Sequence, residues 1–432
     1  MSKSIVIKSQ KRGMVALFMA ITIQMILTFA LLSFTENNMR YIDTTRNYED
    51  KVKSKYLAMS SINFSLLLLT IQKRMIDPLN KNFKMNFQIW QQLPVSSELL
   101  SMVFDGDSEF FKSMIGMDDT ENNDEQNDSA KEQYEKRANQ KSKIDEKIKT
   151  RDKKTENDAG MKTDDDGKMK FENKFKFDGD FFAEITDENR KYNVNIFKHR
   201  SGQTGDRRIE LNLTSLFNQP EYKTFFENPR ENDTVIPPEE VVASIKDWVD
   251  SDDNRSGFNG GAEDDRYQYL KHKYRNKNDT LTSFQELYMI YGIDDDFMAN
   301  FGESLTVYGK NEININTCDE TVLRSIILGI AKNDTSPTYF EPYSQEMALL
   351  VSKILEFRTL APFSKTDDLY NIINSVEGIS VDPIKKNKFK LTTTSNIFKI
   401  TGYGTLHEAV SKIIVVVDTS NPTKQYLYYR EE

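Results

Sequence analysis

The stretch MVALFMAITIQMILTFALLSF, Met14 to Phe34, decides how the rest of the chain is read. Only Gln24 and a few small hydroxyls interrupt the apolar run. As a helix rising about 1.5 Å per residue, it is long enough for a hydrocarbon core about 30 Å thick. A secretory signal peptide has a shorter apolar region that ends in small residues at a cleavage site. This run ends in Phe34-Thr35-Glu36-Asn37-Asn38, which has no such site. Lys3, Lys8, Lys11 and Arg12 precede it, and acidic and neutral residues follow. The positive-inside rule therefore puts the N-terminus in the cytoplasm and the remaining roughly 400 residues across the membrane.

From Tyr41 to Met75 there is neither proline nor glycine, and the sequence turns apolar again at Tyr56-Leu57-Ala58-Met59 and Leu66-Leu67-Leu68-Leu69-Thr70-Ile71. One long helix, half in lipid and half packed on a soluble domain, accounts for both segments. This is the pattern of a pilin. Lys11-Arg12-Gly13 before Met14 resembles the prepilin cleavage site, so residues 1–13 read as a leader and Met14 as the mature N-terminus. Most pilins carry a glutamate at the fifth mature position, where this chain has Phe18.

The 432 residues suffice for two or three domains. Hydrophobic residues make up 38% and charged residues 29%, a folded core diluted by polar segments. A net charge of −9 makes the chain a poor electrostatic partner for nucleic acid or anionic lipid. Cys318 is the single cysteine, so there is no intrachain disulfide and no cysteine-based metal site. His199, His272 and His407 lie far apart in sequence, against a histidine-rich zinc site.

Residues 116–170 have almost no large apolar side chains and densely mixed charge, the composition of a disordered, solvated insertion. Strand signals follow at Phe181–Thr186 and Tyr192–Ile196, flanking a turn, then at Ile397–Tyr403 and Ala409–Val417 with Gly404 in the turn between, and at Gln425–Arg430. Helical signals fill the interval. Pro237-Pro238-Glu239-Glu240 opens a helix with its apolar stripe at Val241, Val242, Ile245, Trp248 and Val249. Ser283-Phe284-Gln285-Glu286 and Thr317-Cys318-Asp319-Glu320 read as capping boxes, the first helix ending at Gly292. Gln345–Arg358 and Lys365–Ser375, the latter followed by Gly378, complete the set. The expected class is α+β: a long N-terminal transmembrane helix on a small antiparallel sheet, with an inserted all-α domain. The expected divisions are 1–13 leader, 14–34 membrane span, 35–115 helix continuation, 116–170 insertion, 171–236 α+β domain, 237–391 α-domain and 392–432 closing strands.

DWVDSDDNRSGFNGGAEDD, Asp247 to Asp265, crowds carboxylates around glycines. Asp250, Asp252 and Asn254 alternate like the first ligands of a calcium loop, but Gly257 and Glu263 both come two positions too late for an EF-hand. The ligand chemistry suits a hard cation, with Gly257, Gly260 and Gly261 free to turn carbonyls inward. The residues alone also fit an exposed acidic turn. ININTCDETVLRSIILGI followed by FSKTDDLYNIINSVEGI has helix–hairpin–helix character, yet its turn, Leu328 to Asp334, offers one glycine, one lysine and an aspartate, which is poor for gripping phosphate. No G-x-S-x-G, HExxH or P-loop is present, and Cys318 reads as a small packing residue.

Together these pieces resemble the K-type minor pseudopilins of type II secretion systems, including the missing glutamate at Phe18. Asp187-Glu188-Asn189-Arg190-Lys191-Tyr192-Asn193-Val194-Asn195 resembles the family's DE-G-K-I-N-x-N turn, with Arg190 where glycine is usual. Asp247-Trp248-Val249-Asp250-Ser251-Asp252, Gly261-Ala262-Glu263-Asp264 and Tyr267 match its most specific block, and Asn276-Lys277-Asn278, Phe284-Gln285-Glu286-Leu287 and Ile315-Asn316-Thr317 fit further motifs. The resemblance implies a structural, non-enzymatic subunit at the pseudopilus tip that helps initiate assembly and export across the outer membrane. It implies paired SAM-like helical modules and structural Ca²⁺ near the acidic loop, with Asp247, Asp250, Asp252, Asn254, Glu263 and Asp264 as candidate ligands by their chemistry. It implies as partners the I- and J-type minor pseudopilins, prepilin peptidase and the inner-membrane secretion platform. The runner-up is a membrane-anchored helix–hairpin–helix DNA-binding protein of a DNA-uptake apparatus, against which the acidic charge counts.

The basic leader and the glycine before an apolar helix predict processing between Gly13 and Met14. Gly13→Leu is expected to block maturation. N-terminal sequencing of the membrane-inserted wild type checks this: an intact Met1, or a cut after Phe34, refutes it.

Overall fold

The computed structural model describes residues 2–83, 87–104, 178–198, 206–229, 234–257, 260–268, 272–310, 312–331, 345–376, 379–383, 386, 390–421 and 424–432. The charged insertion expected over 116–170, Gly378 and the hairpin turn at 332–334 lie outside these residues. The chain forms two compact units, Met1–Ser96 with Gly179–Glu432, and Ser97–Asp178. Of the second, the helix Ser97–Phe104 is described. All that follows concerns the first.

One helix, α1, runs from Ser2 to Ile71. It is long and apolar enough near its N-terminus to cross a membrane, and Met14, Leu17, Phe18, Met25 and Phe29 are exposed there. Further on, Ser54, Leu57, Ala58, Ser61, Ile62, Ser65, Leu68 and Leu69 form a buried stripe at helical spacing. A π-helical turn, Gln72–Ile76, follows, and the helix resumes at Asp77. Gln72 holds that turn: its amide donates to Asp77 Oδ1 (2.8 Å) and the Phe87 carbonyl (2.9 Å) and accepts from the Ile89 N–H (2.7 Å).

The stripe lies on an antiparallel sheet of β1 (Val95–Ser96), β2 (Asp180–Asp187), β7 (Ile397–Leu406), β8 (Ala409–Asp418) and β9 (Gln425–Glu431), in that order. Two short parallel pairs lie outside it: β3 (Tyr192–Asn193) with β4 (Leu305–Thr306), and β5 (Ile313–Asn314) with β6 (Leu391–Thr392). The helix can lie close because β7 has no side chains where they meet. A Cβ on Gly404 would stand 2.0 Å from the Ser54 carbonyl oxygen, and one on Gly402 would stand 2.3 Å from Ser61 Oγ. Ser54 and Ser411 share a buried hydroxyl hydrogen bond of 2.7 Å beside them. Gly404 is therefore not the turn residue that its sequence position suggested. The turn falls at His407–Glu408, with His407 at φ 50°, and Gly404 serves close approach within the strand.

The chain leaves the sheet at the end of β2 and returns at β7, and the interval is mostly helical. One cluster of buried apolar side chains runs from Tyr192 to Ile379 and includes none from α1 or the five-stranded sheet. Helices Asp206–Phe217, Pro238–Val249, Glu320–Ile330, Gln345–Leu360 and Thr366–Asn374 supply most of it. The fold is thus α+β, and the 171–236 stretch divides. β2 joins the sheet, whereas Tyr192, Val194, Phe197, Leu213, Phe217 and Phe226 join the helical core.

Three local expectations are corrected. Tyr192–Ile196 does not form a strand beside β2: only Tyr192–Asn193 is extended, and a 3₁₀ turn follows. Asn193 and Asn195 take the place of a partner strand, their amides donating to the carbonyls of Tyr308 (3.0 Å), Gly309 (2.6 Å), Leu281 (2.8 Å) and Val307 (2.7 Å). Ser283 makes no capping bond, and Phe284–Met289 is 3₁₀, because Glu286 turns to Lys277, Thr282 and Trp248. Asp319, not Thr317, caps the Glu320–Ile330 helix, accepting from the Val322 N–H at 2.7 Å. Thr317 is engaged with Asp187.

Gly404→Ala places a methyl group against α1 backbone that cannot yield without moving the helix. We expect a loss of roughly 3 kcal/mol, the upper end for overpacking, read from denaturant unfolding of the full chain in detergent. Gly260→Ala, with nothing within 4 Å of its Cβ, is the control and costs only its left-handed conformation.

Candidate metal centre

Pro238 starts the helix that positions the acidic loop, with Glu239 and Glu240 in its positive first turn. Val241, Val242, Ile245, Trp248 and Val249 are buried and anchor it, which leaves Asp247 buried on its last turn and Asp250 at its C-cap. The chain then folds back. Asn254 and Ala262 form an antiparallel bridge, and the Arg255 N–H donates to the Gly261 carbonyl at 3.0 Å. Gly257 and Gly261, at φ 100° and 113°, make the reversal that a side chain would resist. The return ends in the 3₁₀ turn Glu263–Arg266.

This reversal brings Asp247, Asp250 and Glu263 together, with one carboxylate oxygen of each within 4.8 Å of the others. All three are buried, at 0%, 4% and 2% exposure. Arg266, itself buried, donates to Asp247 Oδ2 and to Glu240 Oε1 (3.1 Å), and the Ser256 N–H donates to Asp247 Oδ1 at 2.9 Å. Three carboxylates and one guanidinium share this desolvated place. Burial, and then the charges of Asp247, Asp250 and Asp252, push the Glu263 carboxyl up to about 8.

Asn276 completes the arrangement. Its amide donates to Glu263 Oε2 at 2.7 Å and to the Asp247 carbonyl, and its own N–H donates to Asp264 Oδ1 at 2.7 Å. Glu263 Oε1, Asn276 Oδ1 and Asn278 Oδ1 are buried oxygens with no hydrogen-bond donor among the described residues. Buried acceptors left this way are costly. An oxygen-only donor set of three buried carboxylates fits Ca²⁺, and it lacks the nitrogen or sulfur that zinc favours.

Of the six candidate ligands, Asp247, Asp250 and Glu263 converge and the others are engaged differently. Asp252 Oδ1 accepts from the Asn254 N–H at 2.9 Å, Asn254 is exposed in the bridge, and Asp264 binds the Asn276 backbone. Alternation in sequence does not put these side chains on one side of a loop that reverses at glycines. Asn276, Asn278 and Arg266 belong to the site and were not among the candidates. The signal for the two asparagines was an Asn-Lys-Asn triplet that begins eleven residues past Asp265. Elsewhere, the Asp319 carboxylate occupies the amide end of the Glu320–Ile330 helix, where a phosphate would have to sit. Cys318 is buried, and desolvation raises its thiol to about 11, so it is inert as a nucleophile.

Residues 209–310, which contain the helix, the acidic loop and Asn276, match the family model described as Type II secretion system (T2SS), protein K. The type II secretion system protein K of Pectobacterium carotovorum subsp. carotovorum is 38% identical over 85 residues, 19% of this chain. The chain spans a quarter of the length of that relative. Among solved structures, the GspK-GspI-GspJ complex from the enterotoxigenic Escherichia coli type 2 secretion system aligns at a TM-score of 0.40 and 16% identity. That alignment covers 59% of this chain and 80% of the other.

The raised Glu263 carboxyl sets a pH signature for this region. Its folded value lies above the ordinary one, so its contribution to metal-free stability is present below about pH 4.5 and is lost as pH rises through about 8. A cation competes with that proton. The rise in unfolding temperature between EDTA and millimolar CaCl₂ is therefore expected to grow from about pH 6 to about pH 9, and Glu263→Gln should flatten it. An increment equal at both pH values refutes the metal reading. Asp247→Ala is the poorer probe, because it strands the buried Arg266 and costs about 3–5 kcal/mol with or without calcium.

Proposed function

We propose that this chain is a structural minor pseudopilin of type II secretion, seated at the pseudopilus tip and helping to start assembly for export across the outer membrane. The observation that carries the reading is the joining, in one chain, of a protein K domain to a membrane-length helix laid on an antiparallel sheet. The helix anchors the subunit in the inner membrane, with the N-terminus cytoplasmic and the folded part periplasmic, after prepilin peptidase removes residues 1–13. Phe18 fits a tip position: a subunit with no neighbour above it has no terminal amine to neutralise, and an unpaired carboxylate in lipid would only be costly. The Asp247–Asp250–Glu263 cluster holds structural Ca²⁺ in this reading, and no catalytic role is assigned to it. Its partners are the I- and J-type minor pseudopilins and the inner-membrane secretion platform.

Co-expression of the full chain with the I- and J-type pseudopilins of the same system tests this. A stable complex recovered from detergent extracts in calcium, and weakened by EDTA, is the expected result. Failure to form a complex, together with duplex DNA binding at moderate salt, would favour a DNA-uptake receptor instead.

A further inference from the structure

A second group of buried acids lies far in sequence from the calcium cluster, where the chain leaves and re-enters the sheet. Asp187, at the end of β2, is 1% exposed. Its Oδ2 accepts from Thr317 Oγ1 at 2.5 Å and from Ser395 Oγ, and its Oδ1 accepts from the Asn189 N–H at 2.8 Å. Among the described residues, no lysine, arginine or histidine pairs with it. Glu188 and Lys191, on its own turn, are committed to each other at 3.1 Å, with Thr306 on the second glutamate oxygen. Cys318 and Asp319 stand on the loop that brings Thr317, and Arg358 reaches the Cys318 sulfur and the Ile315 carbonyl from the Gln345–Leu360 helix. Glu312, before β5, pairs with Lys390, and β7 carries Lys399. Asp187 thus carries its charge on hydroxyl and amide donors alone.

One of those donors has somewhere else to go. Thr317 Oγ1 lies 3.4 Å from the Asn314 carbonyl, which already accepts the N–H groups of Thr317 (3.2 Å) and Cys318 (3.0 Å). A carboxylate at Asp187 keeps the Thr317 hydroxyl away from that carbonyl. A carboxylic acid there has a proton of its own to donate. Given to Thr317 Oγ1, it turns the Thr317 hydrogen toward Asn314, while Ser395 still donates to Asp187. Every donor and acceptor remains used, but the Asn314 carbonyl now serves three donors.

We propose that Asp187 is a proton-operated latch: ionised, it holds the Thr317 hydroxyl hydrogen, and protonated, it donates to Thr317 Oγ1 and turns that hydrogen onto the Asn314 carbonyl, weakening the hold of that carbonyl on the Thr317 and Cys318 amides that lead into the Glu320–Ile330 helix. Burial lifts the Asp187 carboxyl to about 6, and the neighbouring Glu188 charge adds to the lift against the three donors. The latch therefore works between neutral and mildly acidic pH. The sign is distinctive. A folded value above the ordinary one means that this group adds to global stability as pH falls through 6, while the local turn loosens. General acid unfolding moves both in the same direction.

Hydrogen exchange on the full chain in detergent, in millimolar CaCl₂ and from about pH 5 to about pH 7.5, tests the latch. After correction for intrinsic rates, the Thr317 and Cys318 amides should exchange on the order of fivefold faster at the acid end, the effect of one net hydrogen bond. The midpoint should fall near 6. Asp187→Asn, which donates like the neutral acid, should show the fast pattern throughout. Thr317→Val removes the competing hydroxyl, so its Cys318 amide should stay protected at low pH, which keeps the test valid if Asp187→Asn fails to fold. Exchange independent of pH in the wild type overturns the proposal, as does persistence of the acid effect in Thr317→Val.

Discussion

The helical half of this molecule depends on a seam of side chains bonded to backbone. Where the chain leaves the sheet, Asn189 Oδ1 accepts the N–H groups of Asn396 and Ile397, both at 2.9 Å, and its amide reaches the Glu312 carbonyl at 3.2 Å. Where the chain returns, Asn314 donates to Ser395 at 2.6 Å, and Asn316 spans Phe363 and Thr393. Two-residue pairs such as β5–β6 cannot hold a register alone. Asparagine can, because one side chain carries both a donor and an acceptor in amide geometry. Buried backbone at a crossing of this kind has to be satisfied by something, and here amides and hydroxyls do it.

The seam also relates two motifs that look independent in sequence. The DENRKYNVN and ININT stretches lie more than 100 residues apart, and each alternates apolar residues with asparagine. Alternation of this kind reads as a half-exposed strand. In the fold, the apolar residues Tyr192, Val194, Ile313 and Ile315 enter the helical core, while the asparagines bind backbone rather than water. The alternation itself was legible. What could not be read was the partner of the polar face, since an amide facing solvent and an amide replacing a strand have the same sequence.

The same distinction separates what was readable elsewhere. The long helix, the β7–β9 strands and the Pro238–Val249 helix follow from local pattern, because burial against a single partner face imposes a period. Gly404 was misplaced because glycine serves turns and close approach equally well, and only the tertiary contact with α1 tells them apart. The carboxylate cluster was half legible. Asp247 and Asp250 lie one helical turn apart, and Glu263 is fixed by the glycine reversal. Asn276 arrives from a separate segment, and no spacing rule reaches it.

The molecule therefore places buried carboxylates at two sites and stabilises them by different means. Asp187 is surrounded by neutral donors that can rotate, so its charge is marginal and open to exchange with a proton. Asp247 is fixed by Arg266 and the Ser256 amide, with the buried carboxyls of Asp250 and Glu263 beside it. A divalent cation can neutralise the second site and has no place at the first, where one carboxylate faces two hydroxyls. Rotatable donors make a site responsive, and fixed charges make it rigid. The acidic loop ends the helix that anchors the α-helical core, and the Asp187 seam is where that core meets the sheet. Rigidity inside the core and compliance at its attachment follow from the choice of partner each acid was given.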